Sequence, residues 1–241
     1  MIDLRSGGRF FDRFVRDLLA QAPRELSGDR PALDGYAPEE VEAARIAWAG
    51  RIVDEHRSVV TFSEVLRMLA DAEAPFDALV TMHRLIGDEL RHVKMCAEVA
   101  TWLGGIDDLV IDLEGLGLPP APGVSPAARA YEAVVRELCV AETESVHVLR
   151  AYRDATRDPA IREVLQVILC DEARHAAAGD ALAARLAAAV PASELAEVRS
   201  RLPETMERDI AELRATYLDS ARGGPGRELG ASLFAHEVCA A

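Results

Sequence analysis

The chain has 241 residues, half of them apolar, which is enough for one substantial hydrophobic core or at most two small ones. It carries 27 lysines and arginines against 41 aspartates and glutamates, a formal net charge of −14 at pH 7. Such an acidic chain repels nucleic acid and anionic membrane surfaces, so neither is expected as a partner.

The cysteines and the N-terminal segment indicate a cytoplasmic protein with reduced thiols. The four cysteines are widely spaced and form no CxxC pair, which argues against a structural zinc site and a disulfide scaffold. The first residues lack the apolar core of a secretory signal, and no apolar run is long enough to cross a bilayer. These segments therefore give no reason to expect export or membrane insertion.

Helical patterns separated by proline and glycine run along the chain, and strand signals are nearly absent. Ser125 and Asp158 are predicted N-caps, each followed by a proline suited to the first helical turn. The helix before the long Pro/Gly-rich connection is expected to end at Gly104–Gly105. The predicted helices cover about 8–21, 38–72, 75–103, 125–156, 158–189 and 192–220.

Four of these helices, with two short links and one long crossover between the second and third, predict an all-α four-helix bundle. The first and second helices, and then the third and fourth, look like one hairpin unit used twice. The predicted divisions are an N-terminal helix and loop at 1–37, the bundle at 38–190, and a C-terminal helix and tail at 191–241 that packs on the same domain.

Two charged pentads interrupt the apolar pattern of the second and fourth bundle helices, DELRH at 88–92 and DEARH at 171–175. Within each pentad, a glutamate and a histidine three residues apart share one helical face. Glu89 and His92 have apolar neighbours at helical spacing, and Glu172 and His175 repeat the arrangement. Buried without partners, these groups would strongly destabilise the core, so something must neutralise them.

Each of the other two bundle helices places a glutamate on its apolar face. Glu55 is favoured on the first helix, because the competing Glu64 has polar neighbours and is expected to face solvent. Glu142 is favoured on the third helix, and Glu144 remains open as a replacement or additional ligand.

Four inward carboxylates and two imidazoles have the composition of a site for two divalent metal ions. The carboxylates balance the charge of the two ions, and each ion receives one imidazole. Bundle-type di-iron and di-manganese sites use the same pattern, with Glu-x-x-His on two helices and a single Glu on the other two. The predicted ligands are Glu55, Glu89, His92, Glu142, Glu172 and His175.

The pentads also predict side chains that support the ligands. Asp88 precedes His92 by four residues, and Asp171 precedes His175 by four. At this spacing each aspartate is placed to accept the outer ring N–H of a ligand histidine, on its own helix or across the pair. Arg91 and Arg174 are expected to pair with these aspartates.

With these motifs the chain resembles the ferritin-like di-iron carboxylate superfamily over roughly residues 40 to 190. The resemblance is closer to its oxidases, oxygenases and rubrerythrin-type members than to storage ferritins, and it implies two iron ions, with manganese or an Fe/Mn pair as alternatives. No tyrosine lies one turn from a ligand, which argues against a tyrosyl-radical role like that of ribonucleotide reductase small subunits. A C-terminal CxxC pair is also lacking, which excludes a rubredoxin-bearing rubrerythrin. The matching segments are DEHRS at 54–58, DELRH at 88–92, AETES at 141–145 and DEARH at 171–175.

The resemblance implies an enzyme that activates O₂ to oxidise or oxygenate a small organic substrate, with an external electron donor such as a ferredoxin. One alternative is a ferroxidase or peroxide-scavenging protein of the bacterioferritin or rubrerythrin kind. Another is a partner-binding bundle with structural metals. The extra helices at about 8–21 and 192–220 favour the first, because they would cover surface that a ferritin cage uses for subunit contacts. A homodimer is compatible with the sequence.

Overall fold

A computed structural model describes residues 26–106, 109–110, 116–118, 124–215, 226–230 and 239–240. The predicted helix at about 8–21 lies outside these residues. The predicted all-α architecture is confirmed, and two short antiparallel strands are the minor addition. The elements are α1 (Pro38–Asp71), α2 (Phe76–Trp102), β1 (Leu109–Val110), α3 (Pro126–Ala133), a π-helical segment (Val134–Ala141), α4 (Glu142–Ala155), α5 (Pro159–Ala187), α6 (Ala192–Leu213), a 3₁₀ turn (Arg227–Leu229) and β2 (Cys239–Ala240).

The predicted caps set the starts of two bundle helices. The Ser125 hydroxyl accepts a hydrogen bond from the Ala128 amide at 3.2 Å, and Asp158 Oδ1 accepts from the Ala160 amide at 3.0 Å. A proline follows each cap in the first turn, where its missing N–H leaves no internal hydrogen bond unmade. Local sequence therefore determines where these helices begin.

The third bundle helix is not the single α-helix that its sequence predicts. Residues 126–155 form one continuous helical run, but the middle of the run is the π-helical segment. Helix α5 lies very close to the π-helical segment at Gly179. A Cβ added to Gly179 would lie only 2.7 Å from Leu138 Cβ and 2.8 Å from the Leu138 carbonyl carbon. Glycine at this position lets α5 contact the backbone of the π-helical segment directly.

The bundle core consists of two apolar clusters, one at each end. The first cluster contains Phe62, Met82, Leu138 and Leu182, all buried. The second cluster surrounds Trp48, whose indole N–H donates to the Leu229 carbonyl at 2.9 Å. The charged residues of the two pentads belong to neither cluster, and they form a polar layer between them. Burial of this layer gives it a low-dielectric environment.

The C-terminal helix α6 packs against the outside of the third bundle helix. Val198 and Leu202 are buried against the first apolar cluster, while Arg136 pairs with Asp209 at 2.8 Å. The last residues of the predicted helix, 216–220, lie outside the described residues. Among the helices that the structure describes, none has the length and apolar composition required to span a membrane.

We expect Gly179→Ala to lower the free energy of unfolding by roughly 1–3 kcal/mol, the usual range for overpacking a core. The added methyl group would collide with backbone atoms of the π-helical segment, which cannot move aside as a flexible side chain does. Urea denaturation followed by circular dichroism measures the change.

The matched control is Gly87→Ala, on the exposed face of α2, where no heavy atom lies within 4 Å of an added Cβ. Since alanine favours a helix over glycine by up to about 1 kcal/mol, this variant should be as stable as the wild type or more stable. Equal stability of Gly179→Ala and Gly87→Ala would contradict the close contact between α5 and the π-helical segment.

Candidate metal centre

Six carboxylate and imidazole side chains from four helical segments converge in the polar layer. All six are at least 92% buried, the most accessible being Glu55 at 8% exposure. They form two groups in which one ligand atom from each residue lies within 4.8 Å of the others. Glu89 and Glu172 belong to both groups, as bridging ligands would. The groups are Glu55, Glu89, His92 and Glu172, and Glu89, Glu142, Glu172 and His175.

Both histidines turn the same ring nitrogen towards the carboxylates. His92 Nδ1 lies 3.4 Å from Glu55 Oε2 and 3.3 Å from Glu172 Oε1. His175 Nδ1 lies 2.8 Å from Glu89 Oε1 and 3.1 Å from Glu172 Oε2. The two imidazole rings stack with their centroids 5.8 Å apart. The two Nδ1 atoms therefore face two adjacent positions among the shared carboxylates.

The outer ring nitrogens point to aspartates on the opposite helix. His92 Nε2 lies 3.1 Å from Asp171 Oδ2, and His175 Nε2 lies 3.8 Å from Asp88 Oδ2. The sequence allowed either a pairing within one helix or a crossed pairing, and the structure has the crossed one. Because each aspartate orients a histidine of the other pentad, the two helices fix each other's ligand geometry.

Three arginines surround the aspartates. Arg91 and Arg174 both bind Asp171, and Arg91 Nη2 also lies 3.6 Å from Asp88 Oδ1. Arg84, one turn before Asp88 and not predicted from the sequence, donates from Nε to Asp88 at 3.2 Å. Although burial alone would raise the pKa of Asp88, His175 and Arg84 hold it below its usual range. Asp88 is thus kept ionised as an acceptor.

Burial makes Glu55 and Glu142 poor anions when no metal ion balances them. It raises the pKa of Glu55 to about 7, and it raises that of Glu142 well above the ordinary value with help from the nearby Glu172. Burial alone would lower the pKa of both histidines, but the surrounding carboxylates raise it well above the ordinary value. The metal-free layer is therefore stabilised by protons shared among its acids and imidazoles.

The donor set fits two divalent cations. In the described part of the chain, the buried atoms His92 Nδ1, Glu89 Oε1 and Glu142 Oε2 make no hydrogen bond of ordinary geometry. A buried polar atom without a hydrogen-bond partner lowers the stability of the fold, and a bound cation would supply the missing partner. Mixed carboxylate and imidazole ligands suit iron and manganese better than copper or structural zinc.

Two other acids from the sequence analysis lie outside both groups. Glu144 is buried, but its carboxylate accepts two hydrogen bonds from Arg214 on the C-terminal side of α6, at 2.7 and 2.8 Å. The expectation that Glu64 faces solvent is wrong. Its side chain is half-buried and Oε2 accepts the Leu118 amide at 2.8 Å, so it binds the crossover connection instead.

A cavity of about 700 Å³ lies beside the polar layer, between α1, the third bundle helix and α6. Carboxylates of Glu55, Glu142 and Glu172 form part of its wall. Its lining also includes Glu137, which sequence periodicity missed because it precedes Glu142 by five residues, off the α-helical face. In a π-helix residues five apart are one turn apart, so both reach the same wall. The π-helical segment itself gave no recognisable signal in the sequence.

No family model matches the chain, and no curated protein matches it. Among solved structures, it is similar to a point mutant of an R2-like ligand-binding oxidase with an aerobically reconstituted Mn/Fe cofactor. The TM-score is 0.61 over 89% of this chain and 82% of that chain, at 16% sequence identity. At this identity the likeness bears on the fold alone, and it confirms the predicted all-α, ferritin-like architecture.

The metal-free protein is expected to lose stability as the pH rises from about 5 to about 8. Burial gives Glu55 a folded-state pKa of about 7, above the ordinary value of 4.5, so the folded chain binds more protons across this window. Its contribution is complete below the unfolded pKa and is lost as the pH rises through the folded one. The raised histidine pKa values act in the same direction. Thermal denaturation of chelator-treated protein across this range measures the slope.

Glu55→Gln removes one titrating group and should flatten this slope, whereas Glu98→Gln on the exposed surface of α2 should leave it unchanged. In metal-loaded protein the trend should reverse, because the ligands bind metal ions in their deprotonated forms. Metal-free wild type that becomes more stable as the pH rises would contradict the proton sharing.

Asp171→Asn should weaken metal binding by roughly 10- to 100-fold, the usual effect of losing a partner that orients a ligand histidine. The substitution removes the anion that receives His92 Nε2 and binds both Arg91 and Arg174. Competition with a chromophoric chelator measures the affinity. Asp180→Asn, at an exposed position of the same helix, is the control, and equal affinities of the two variants would contradict this role.

Proposed function

We propose that the protein is a di-metal carboxylate enzyme that uses O₂ to oxidise or oxygenate a small organic substrate. The observation that carries this proposal is the cavity of about 700 Å³ whose wall includes Glu55, Glu142 and Glu172. A purely structural metal site needs no such space beside its ligands, whereas an enzyme must place its substrate there. The neighbouring fold belongs to a protein described as a ligand-binding oxidase with a Mn/Fe cofactor, which agrees with this assignment.

In the proposed site, Glu55, Glu89, His92 and Glu172 would hold one metal ion, and Glu89, Glu142, Glu172 and His175 would hold the other. The ions are two irons, two manganese ions or one of each. When bound, such a pair supplies two electrons to O₂ together. The four ligand carboxylates would also balance the charge of two divalent ions, so the ligands and the bound ions together would carry no net charge.

The surrounding residues control geometry and water. Asp171 and Asp88 orient the imidazoles so that Nδ1 faces inward, and this leaves Nδ1 free of a proton for a metal ion. The two apolar clusters above and below the layer exclude water from the buried side. Access is thereby restricted to the cavity side, where Phe62, Val148 and Leu149 provide apolar walls.

The proposed reaction needs electrons from outside the chain. A ferredoxin or a similar donor therefore remains part of the proposal, together with a cytoplasmic location. The ferroxidase or peroxide-scavenging function is the alternative that the experiments below separate from it.

The site assignment predicts close to two iron or manganese ions per chain, lost in Glu89→Ala and Glu172→Ala. Each substitution removes a carboxylate common to both groups, so neither ion keeps its full set of ligands. Elemental analysis of the purified proteins measures the metal content. Glu98→Ala, at an exposed position of α2, is the control and should retain both ions; unchanged content in both ligand variants would disprove the site.

The same preparations distinguish the two functions. The iron-loaded and reduced protein should consume O₂ faster in the presence of an organic substrate, and Glu142→Ala should abolish the increase. Rapid oxidation of added Fe²⁺ that no organic compound accelerates would instead support a ferroxidase.

A further inference from the structure

The cavity beside the metal centre has apolar walls and one strongly polar region. Val140, Ala141 and Leu149 line the part next to the ligands, while charged side chains from the third bundle helix and α6 line the polar region. Binding sites commonly combine an apolar wall with a few polar groups that fix the orientation of the ligand. The polar groups of this cavity therefore indicate which kind of substrate it accepts.

Most charged groups in the cavity wall are already paired within the protein. Asp209 accepts hydrogen bonds from Arg136 at 2.8 Å and from Arg208 at 3.2 Å. Glu144 is held by Arg214 at 2.7 Å. The contacts of Arg136 and Arg214 join the C-terminal helical segment to the third bundle helix, and each of these charged groups already has a partner within the protein.

Glu137 differs from these groups. It is half-buried in the cavity wall, and it forms no hydrogen bond or ion pair with any residue that the structure describes. Burial raises its pKa, and the guanidinium groups of Arg136 and Arg57 oppose this without binding the carboxylate. A carboxylate that is partly withdrawn from water is stabilised when a hydrogen-bond donor reaches it. The cavity leaves room for that donor to come from a ligand.

The position of Glu137 relates it to the metal centre. It lies in the π-helical segment, five residues before Glu142, and both side chains line the same cavity. One helical turn separates such residues, a distance of about 5 Å along the axis. A ligand group bound at Glu137 would therefore place the next few carbon atoms beside the metal ligands.

We propose that the substrate is a small organic amine whose ammonium group binds Glu137 while its apolar body lies along the wall towards Glu142. An ammonium group supplies the charged hydrogen-bond donors that this carboxylate lacks, and charge-assisted bonds of this kind are the strong ones. The net charge of −14 also attracts cations to the protein. This inference rests on the proposed function, because it assumes that the substrate occupies the cavity beside the metal ions.

The test uses three six-carbon probes that differ only in their polar group: n-hexylamine, 1-hexanol and hexanoate. Isothermal titration calorimetry of the metal-loaded full-length protein near neutral pH should show that hexylamine binds most tightly. Glu137→Gln should weaken hexylamine binding roughly 10- to 100-fold, the effect of losing a hydrogen bond to a charged group. It should change hexanol binding by less than about threefold.

Glu212→Gln is the matched control, since Glu212 is an exposed acid of α6 that lines the same cavity. This variant should bind hexylamine within about twofold of the wild type. Equal losses in both variants would mean that only general charge attraction operates. Hexylamine binding that Glu137→Gln leaves unchanged would place the amine on a metal ion or elsewhere, and tighter binding of hexanoate or absence of binding by all three probes would also overturn the inference.

Elemental analysis of the same samples separates this inference from the proposed function. A wild type without bound metal that still binds hexylamine through Glu137 would contradict the metal enzyme and retain the amine site. A wild type with two metal ions and no preference for the amine would contradict the amine site alone.

Discussion

The structure depends on one electrostatic constraint, the burial of four carboxylates and two imidazoles in a single layer of the bundle. Such a layer is unfavourable unless protons or cations compensate its charge. In the metal-free chain, burial raises the pKa of Glu55 to about 7, and the surrounding carboxylates raise those of His92 and His175 well above the ordinary value against the effect of burial, so bound protons compensate part of the charge. Metal ions would replace these protons, so the arrangement couples folding, protonation and metal binding.

The residues around the layer divide it into two different sides. On one side, Asp171 of α5 contacts His92 of α2, and Asp88 of α2 faces His175 of α5. Arginine side chains balance the negative charge of these aspartates. On the other side, the cavity exposes three of the carboxylates to a space between α1, the third bundle helix and α6. Rigid orientation on one side and open space on the other are the requirements of a metal centre that binds substrate.

The π-helical segment connects the packing of the bundle to this cavity. Gly179 allows α5 to contact the segment at Leu138, and the changed periodicity brings Glu137 onto the wall that contains Glu142. In an α-helix, residues five apart lie on different faces. A local change in helical geometry therefore gives the cavity a carboxylate that the metal centre does not use.

The sequence by itself determined the helices, the hairpin repeat and the six side chains that converge. Helical periodicity is a local property, and a charged residue on an apolar stripe has few explanations other than a bound cation or an ion-pair network. The sequence favoured Glu142 but left Glu144 open as a replacement or additional ligand, because both lie near the inner face. Only the structure shows that Arg214, seventy residues away along the chain, holds Glu144.

Contacts between segments that are distant along the chain determined the features that the sequence did not predict. Whether each aspartate serves its own histidine or the opposite one depends on how α2 and α5 are placed against each other, which spacing along one helix does not encode. The binding of Glu64 to the crossover connection, the space left beside Glu55 and the π-helical turn also arise from packing between segments. These features are properties of the assembled bundle, because they depend on which surfaces meet and how closely.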